Sequence, residues 1–154
     1  MPDVTIEHAA ARHLAAVRRV VAVGQVGAVW QPALDLVWEF LRANPGLRGD
    51  GHNIFLYHHA AAPGRPMSVD FGVEVLGPFD ASGEVVPVQT PAGEVATAVH
   101  LGPYDQLGDA HAAIEAWRIR EDRSFAGASW EIYGDPTPDP AQTRTTVCYL
   151  LTPR

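Results

Sequence analysis

The segment Ser129-Trp130-Glu131-Ile132-Tyr133 sets one carboxylate among aromatic and aliphatic side chains. On a strand, successive side chains alternate between faces, so Glu131 and Tyr133 share one face and Trp130 and Ile132 the other. A carboxylate buried there without a partner is costly. A ligand cation lying against the neighbouring rings would offset that cost by charge and cation–π attraction. Burial of this kind also suits a carboxyl for general acid or base work. Two plainer readings compete: Glu131 on a solvated face of the sheet, or Glu131 paired with an arginine. No second carboxylate, His or Ser stands at motif spacing from Glu131, so a complete catalytic set is not visible in the sequence.

Tyr104 follows Gly102-Pro103 at a helix start, where its ring could close one end of a cleft and its hydroxyl could reach a ligand or Glu131. Against this stands a core or interface tyrosine with a satisfied hydroxyl. Phe55 and Tyr57 alternate together on an earlier strand and are candidates for the opposite wall, core packing being the plainer account of Phe55. Trp30, two residues before Pro32, is a candidate for the mouth of the site, whereas Trp38 and Trp117 lie on apolar helix stripes and read as core.

The seven histidines do not assemble a metal motif. His58 and His59 are adjacent, so on a strand they point apart, and no H-x-x-E-H or C-x-x-C is present. Neither metal nor cofactor is expected. His100 reads as a structural strand residue, and Cys148 as a buried strand cysteine rather than a nucleophile. There is no G-x-S-x-G, P-loop or helix-opening G-x-G-x-x-G.

The elements that must hold these residues follow from periodicity. Val4, Ile6 and His8 alternate as a first strand, and His13–Val23 reads as an extended or edge segment. Val29, Ala33, Leu36, Val37, Phe40 and Leu41 recur at helical spacing before Pro45-Gly46. Strands are expected at Asn53–His59 and Ser68–Leu76, around a loop over 60–66. A short strand at Glu84–Val88 and a longer one at Pro91–Leu101 follow. A helix starts at Pro103, a favoured first position, with Leu107, Ala110, Ile114 and Trp117 on its stripe, and ends near Asp122. Ala128–Tyr133 and Arg144–Leu151 close the chain as strands. The predicted fold is α+β: two strand-helix-strand-strand modules, about 1–80 and 84–154 of one 154-residue domain, forming one antiparallel sheet. Both helices would lie on one face, leaving the other face or a central cleft for a ligand.

The chain has 47% hydrophobic residues, enough for a core, and a net charge of −7. Its basic residues are eleven scattered arginines with no lysine, which argues against nucleic-acid binding. One cysteine excludes an internal disulfide and fits a reducing cytoplasm. The opening residues lack a signal-peptide pattern, and no apolar run reaches a membrane span, so a cytoplasmic protein is expected.

From Gly93 onward the order Gly93-Glu-Val-Ala-Thr-Ala-Val-His100-Leu-Gly102-Pro103-Tyr104, the Trp117 helix, Trp130-Glu131-Ile132-Tyr133, Asp135-Pro136 and the strand Thr145–Leu151 resembles the GyrI-like domain. This family is also known as the effector-binding domain of AraC- and MerR-type regulators. Over residues 1–80 only element order and the Tyr57-His58 strand correspond. The resemblance implies a cleft for bulky, often cationic aromatic compounds, with the family's buried glutamate falling on Glu131. It makes the chain a standalone binder of hydrophobic, aromatic or cationic molecules, with Glu131 as charge partner and Tyr133, Tyr104, Tyr57, Phe55 and Trp30 as contact residues. A second implied activity is hydrolysis of strained electrophiles, with Glu131 as acid or base and Tyr104 orienting the substrate. A third is a gyrase-inhibitor-type interaction protein. No helix-turn-helix region accompanies the domain in this chain.

Overall fold

The computed structural model describes residues 2–60 and 62–154. Met1, in the stretch read for a signal peptide, and Ala61, in the loop read over 60–66, lie outside the described residues. The fold is α+β, as the sequence predicts, and every strand pairing described is antiparallel. The chain forms two compact units: one from residues 11–90, the other from 1–10 together with 91–154.

In the first unit β2 (His13–Val21), α1 (Val26–Ala43), β3 (Asn53–His58) and β4 (Met67–Glu74) follow in order, and β5 (Val86–Gln89) completes the sheet. β4 pairs with both β3 and β2, and β2 also pairs with β5. β2 is thus an inner strand: the extended reading of this segment holds, and the edge reading does not. Its run Leu14–Val17 is fully buried, the pattern of a strand covered on both faces. Helix α1 runs for 18 residues. It buries Ala33, Leu34, Val37 and Leu41, while Leu36 of the predicted stripe is partly exposed. Pro32 sits inside α1, which continues despite the lost backbone N–H. Pro45 ends it, since the residue before a proline avoids the helical region.

The second unit has β6 (Gly93–Leu101), α2 (Gly108–Arg120), β7 (Phe125–Tyr133) and β8 (Arg144–Leu151), with β1 (Val4–Ala9) paired to β6. The first predicted strand therefore belongs with the C-terminal elements, and the short strand after residue 84 belongs with residues 11–90. Local periodicity finds a strand but not its partner, and β1 and β6 are far apart in sequence. The core of this unit packs Ala96, Ala98 and Val147 from the sheet against Ala110, Ile114 and Trp117 of α2, with Leu151 beside them. Small alanines on both β6 and α2 let helix and sheet approach closely. A left-handed Asp122 (φ 54°) ends the helix, and the Arg123 N–H returns to the Arg118 carbonyl at 2.9 Å.

Candidate functional site

The helix-bearing face of the second unit's sheet carries the site. Opposed residues share a face, and Ser129↔Tyr149, Glu131↔Val147 and Tyr133↔Thr145 are opposed across β7 and β8. Val147 packs against α2, so Glu131 and Tyr133 lie on the helix side. Of the two places the sequence left for a ligand, the helix-free face and a central cleft, the helix-free face does not carry Glu131, which within this unit faces α2. Trp130, on the opposite face, is 2% exposed.

Glu131 is 5% exposed, so it is not on a solvated face, and the partners described for it are a tyrosine and a histidine. The Tyr133 hydroxyl donates to Oε1 at 2.5 Å, and His111 Nε2 lies 2.7 Å from Oε2. His111 extends from α2, with its side chain 28% exposed. Its other nitrogen, Nδ1, is 2.6 Å from the Tyr149 hydroxyl, and the two rings meet edge to face. Burial pushes the Tyr149 phenol up to about 12, the charge of Glu131 adds to this, and a side-chain hydrogen bond with Ser129 opposes it. Tyr149 also leans on Phe125, at 4.6 Å between ring centroids.

Sequence reasoning missed His111 and Tyr149. His111 lies four residues after Leu107 and three before Ile114, so it is a polar residue set in the apolar stripe of α2. That anomaly was the available signal. Tyr149 was legible only as an aromatic in the last strand, because cross-strand register is not written in local sequence.

Tyr104 lies in a 3₁₀ turn, Tyr104–Gln106, rather than in the α-helix expected to start at Pro103. Tyr104 is 54% exposed, and its ring stands edge-on to that of Tyr133 at 5.7 Å. Two features set this turn. Gly102 adopts φ 134°, which side chains disfavour, and His100 Nε2 donates to the Pro103 carbonyl at 2.9 Å. His100 is thus a buried brace for the Gly-Pro-Tyr corner. The geometry joins Glu131, Tyr133 and Tyr104 with His111 and Tyr149 in one group.

The remaining candidates lie in the other unit. Trp30 is in the second turn of α1, 36% exposed, and its ring is 6.2 Å from Phe55. Phe55 is 6% exposed and edge-on to Phe71 at 4.9 Å, and Tyr57 is half-buried on the same face of β3. His58 pairs with Asp70 at 2.7 Å, and Arg18 grips the same fully buried carboxylate with Nε and Nη2 at 2.7 and 2.9 Å. Among the described residues no group of three or more His, Cys, Asp or Glu could hold a metal ion. No described helix is long and apolar enough to cross a membrane.

This fold and site define a class of ligand-binding domain. The chain belongs to the GyrI-like family, whose small molecule binding domain it matches over residues 2–151. Among solved structures it is similar to the EcmrR C-terminal domain, with 21% identity, TM-score 0.81 and coverage of 99% of this chain and 98% of that one. EcmrR bound to DNA matches over 97% of this chain but 57% of the EcmrR chain, at 22% identity and TM-score 0.78. SAV2435 bound to tetraphenylphosphonium matches over 97% and 94%, at 10% identity and TM-score 0.70. A hydrolase from Listeria innocua matches over 98% and 92%, at 11% identity and TM-score 0.57. These likenesses establish the shared fold. No curated protein sequence matches.

Proposed function

We propose that this domain binds hydrophobic organic cations, aromatic ones above all, with Glu131 as charge partner and Tyr133 and Tyr104 as ring contacts. The observation that carries the reading is a carboxylate 5% exposed, held in a ring of tyrosines and one histidine on the helix side of the sheet. In such a site a cation gains both Coulomb attraction and contact with ring faces. SAV2435, which shares the fold, binds a compound of this chemistry. The net charge of −7 favours cationic ligands and disfavours nucleic acid as this chain's own partner. Fluorescence titration with tetraphenylphosphonium tests it. Glu131→Gln should weaken binding by about 1–3 kcal/mol, the scale of losing a charged partner in a desolvated site. Equal affinities would remove Glu131 from the ligand. Trp30→Ala and Tyr57→Phe in the same titration test the aromatic group of the other unit independently.

The His111–Glu131 contact favours a second reading, hydrolysis of strained electrophiles. A carboxylate with a histidine at 2.7 Å has the partner for proton transfer that the sequence alone did not display. Glu131 would take a proton from the attacking water or supply one to the leaving group, while Tyr104 orients the substrate. Incubation with epoxides, esters and cyclopropane-bearing compounds, followed by mass spectrometry, tests this. Turnover lost in both Glu131→Gln and Tyr104→Phe would make it the first reading.

A further inference from the structure

We infer that the opposite end of the Glu131-bearing unit holds a second ligand site, in which Arg123 receives the carboxylate of a small amphipathic anion. Arg123 follows the left-handed Asp122 that ends α2, and it is 7% exposed. A guanidinium carries five N–H donors and no acceptor, so each hydrogen calls for an oxygen. Nη2 donates to Glu94 at the start of β6. Nε and Nη1 have no acceptor among the described residues, yet neither is sealed from solvent. Arg123 lines an open pocket of about 540 Å³, within the size range of small-molecule sites. The solvent that its unmet donors reach is that of the pocket. Water can meet them there, but a carboxylate meets them with charge as well, and such bonds are the stronger ones.

The walls of the pocket fit such a ligand. Leu150, Leu151 and Pro153 supply apolar surface for its body. The other ionisable side chains of the lining are His8, Glu94 and Arg154. The Arg154 guanidinium donates Nη2 to the Glu121 carbonyl, and no carboxylate pairs with it among the described residues. Two guanidinium charges thus stand against the one carboxylate of Glu94, in a chain whose net charge is −7. A locally positive pocket draws anions whatever the sign of the whole chain. The site is also separate from that of Glu131. Ala98, Val147 and Glu131 are opposed in turn across β6, β8 and β7, and Glu94 lies four residues along β6 from Ala98. At strand spacing this is about 13 Å. The anion site therefore stands or falls independently of the cation reading.

Isothermal titration calorimetry of the full chain with 2-naphthoate, and with neutral 2-naphthamide of nearly the same shape, tests the inference. Naphthoate should bind saturably and about tenfold more tightly than the amide, the scale of one charge-assisted hydrogen bond. Glu94→Gln removes the carboxylate that competes for Arg123 and should tighten naphthoate by about threefold or more. A purely structural Arg123–Glu94 pair would give weaker binding or no change in that variant. Arg123→Met should abolish binding. Because that variant could fail to fold, Ala126→Trp gives a second measure: Ala126 is an exposed residue of the pocket wall, and an indole there closes the pocket. Ala126→Trp should lose naphthoate while its circular dichroism matches wild type. No saturable binding of naphthoate, equal affinity for the amide, affinity unchanged or weakened in Glu94→Gln, or binding retained in a folded Ala126→Trp would each overturn the site.

Discussion

His111 and Glu131 are twenty residues apart in sequence and 2.7 Å apart at Nε2 and Oε2, joined across the face where α2 lies on β6 and β8. The contact binds the helix to the strand that carries the buried carboxylate. His111→Ala should therefore cost about 2 kcal/mol, mostly the penalty of a buried charge that has lost a donor. Adding Glu131→Gln should recover part of that loss. A double-mutant cycle by urea denaturation is expected to give a coupling of about 0.5–3 kcal/mol, and strict additivity would mean that the two side chains act separately.

Alkaline pH should single out Tyr149. Its folded-state value of about 12 lies above the ordinary 10, so the folded protein holds a proton that the unfolded chain releases. The stabilisation is complete below pH 10 and is lost as pH rises toward 12. Over that window it amounts to about 2–3 kcal/mol. Denaturation series at pH 9, 10 and 11 should show the decline in wild type and a shallower one in Tyr149→Phe.

Much of the frame was legible because its signals are local. The alternation around Glu131 put it and Tyr133 on one face, and the α2 stripe named Ala110, Ile114 and Trp117, all buried. The long-range choices were not legible. Nothing near Val4 states that it pairs with Ala98, and nothing near Leu14 states that β2 is covered on both faces. The site was half visible for the same reason. Glu131 and Tyr133 are neighbours on one strand, whereas His111 and Tyr149 reach Glu131 only through the packing of a helix and the register of a second strand.

Asp70 offers a prediction in the other unit. Its side chain is fully buried, and Arg18, still half-exposed, holds both carboxylate oxygens beside His58. Arg18→Met should destabilise by about 2 kcal/mol. This is below the usual cost of breaking a buried pair, because His58 remains and water reaches the arginine. The urea midpoint measures it, and a midpoint unchanged from wild type would show that His58 alone satisfies Asp70.

Thr145 points the other way. Its side chain is fully buried opposite Tyr133 and His100, and its hydroxyl has no hydrogen-bond partner among the described residues. Thr145→Val keeps the shape and removes the unmet polar atom, so stability should rise by about 1 kcal/mol. Thermal unfolding checks this, and a lower melting temperature would mean that the hydroxyl is satisfied in solution.

The pairing of β1 with β6 also sets an order of events during synthesis. Residues 11–90 leave the ribosome as a contiguous stretch and can collapse on themselves. Val4–Ala9 must wait, unpaired, until Gly93–Leu101 has emerged. A strand held in waiting through some eighty intervening residues pays a long loop closure before its first ladder bond forms. The unit that carries Glu131 is therefore the last to be completed, and the N-terminal strand is the seam at which a stalled or truncated chain would come open.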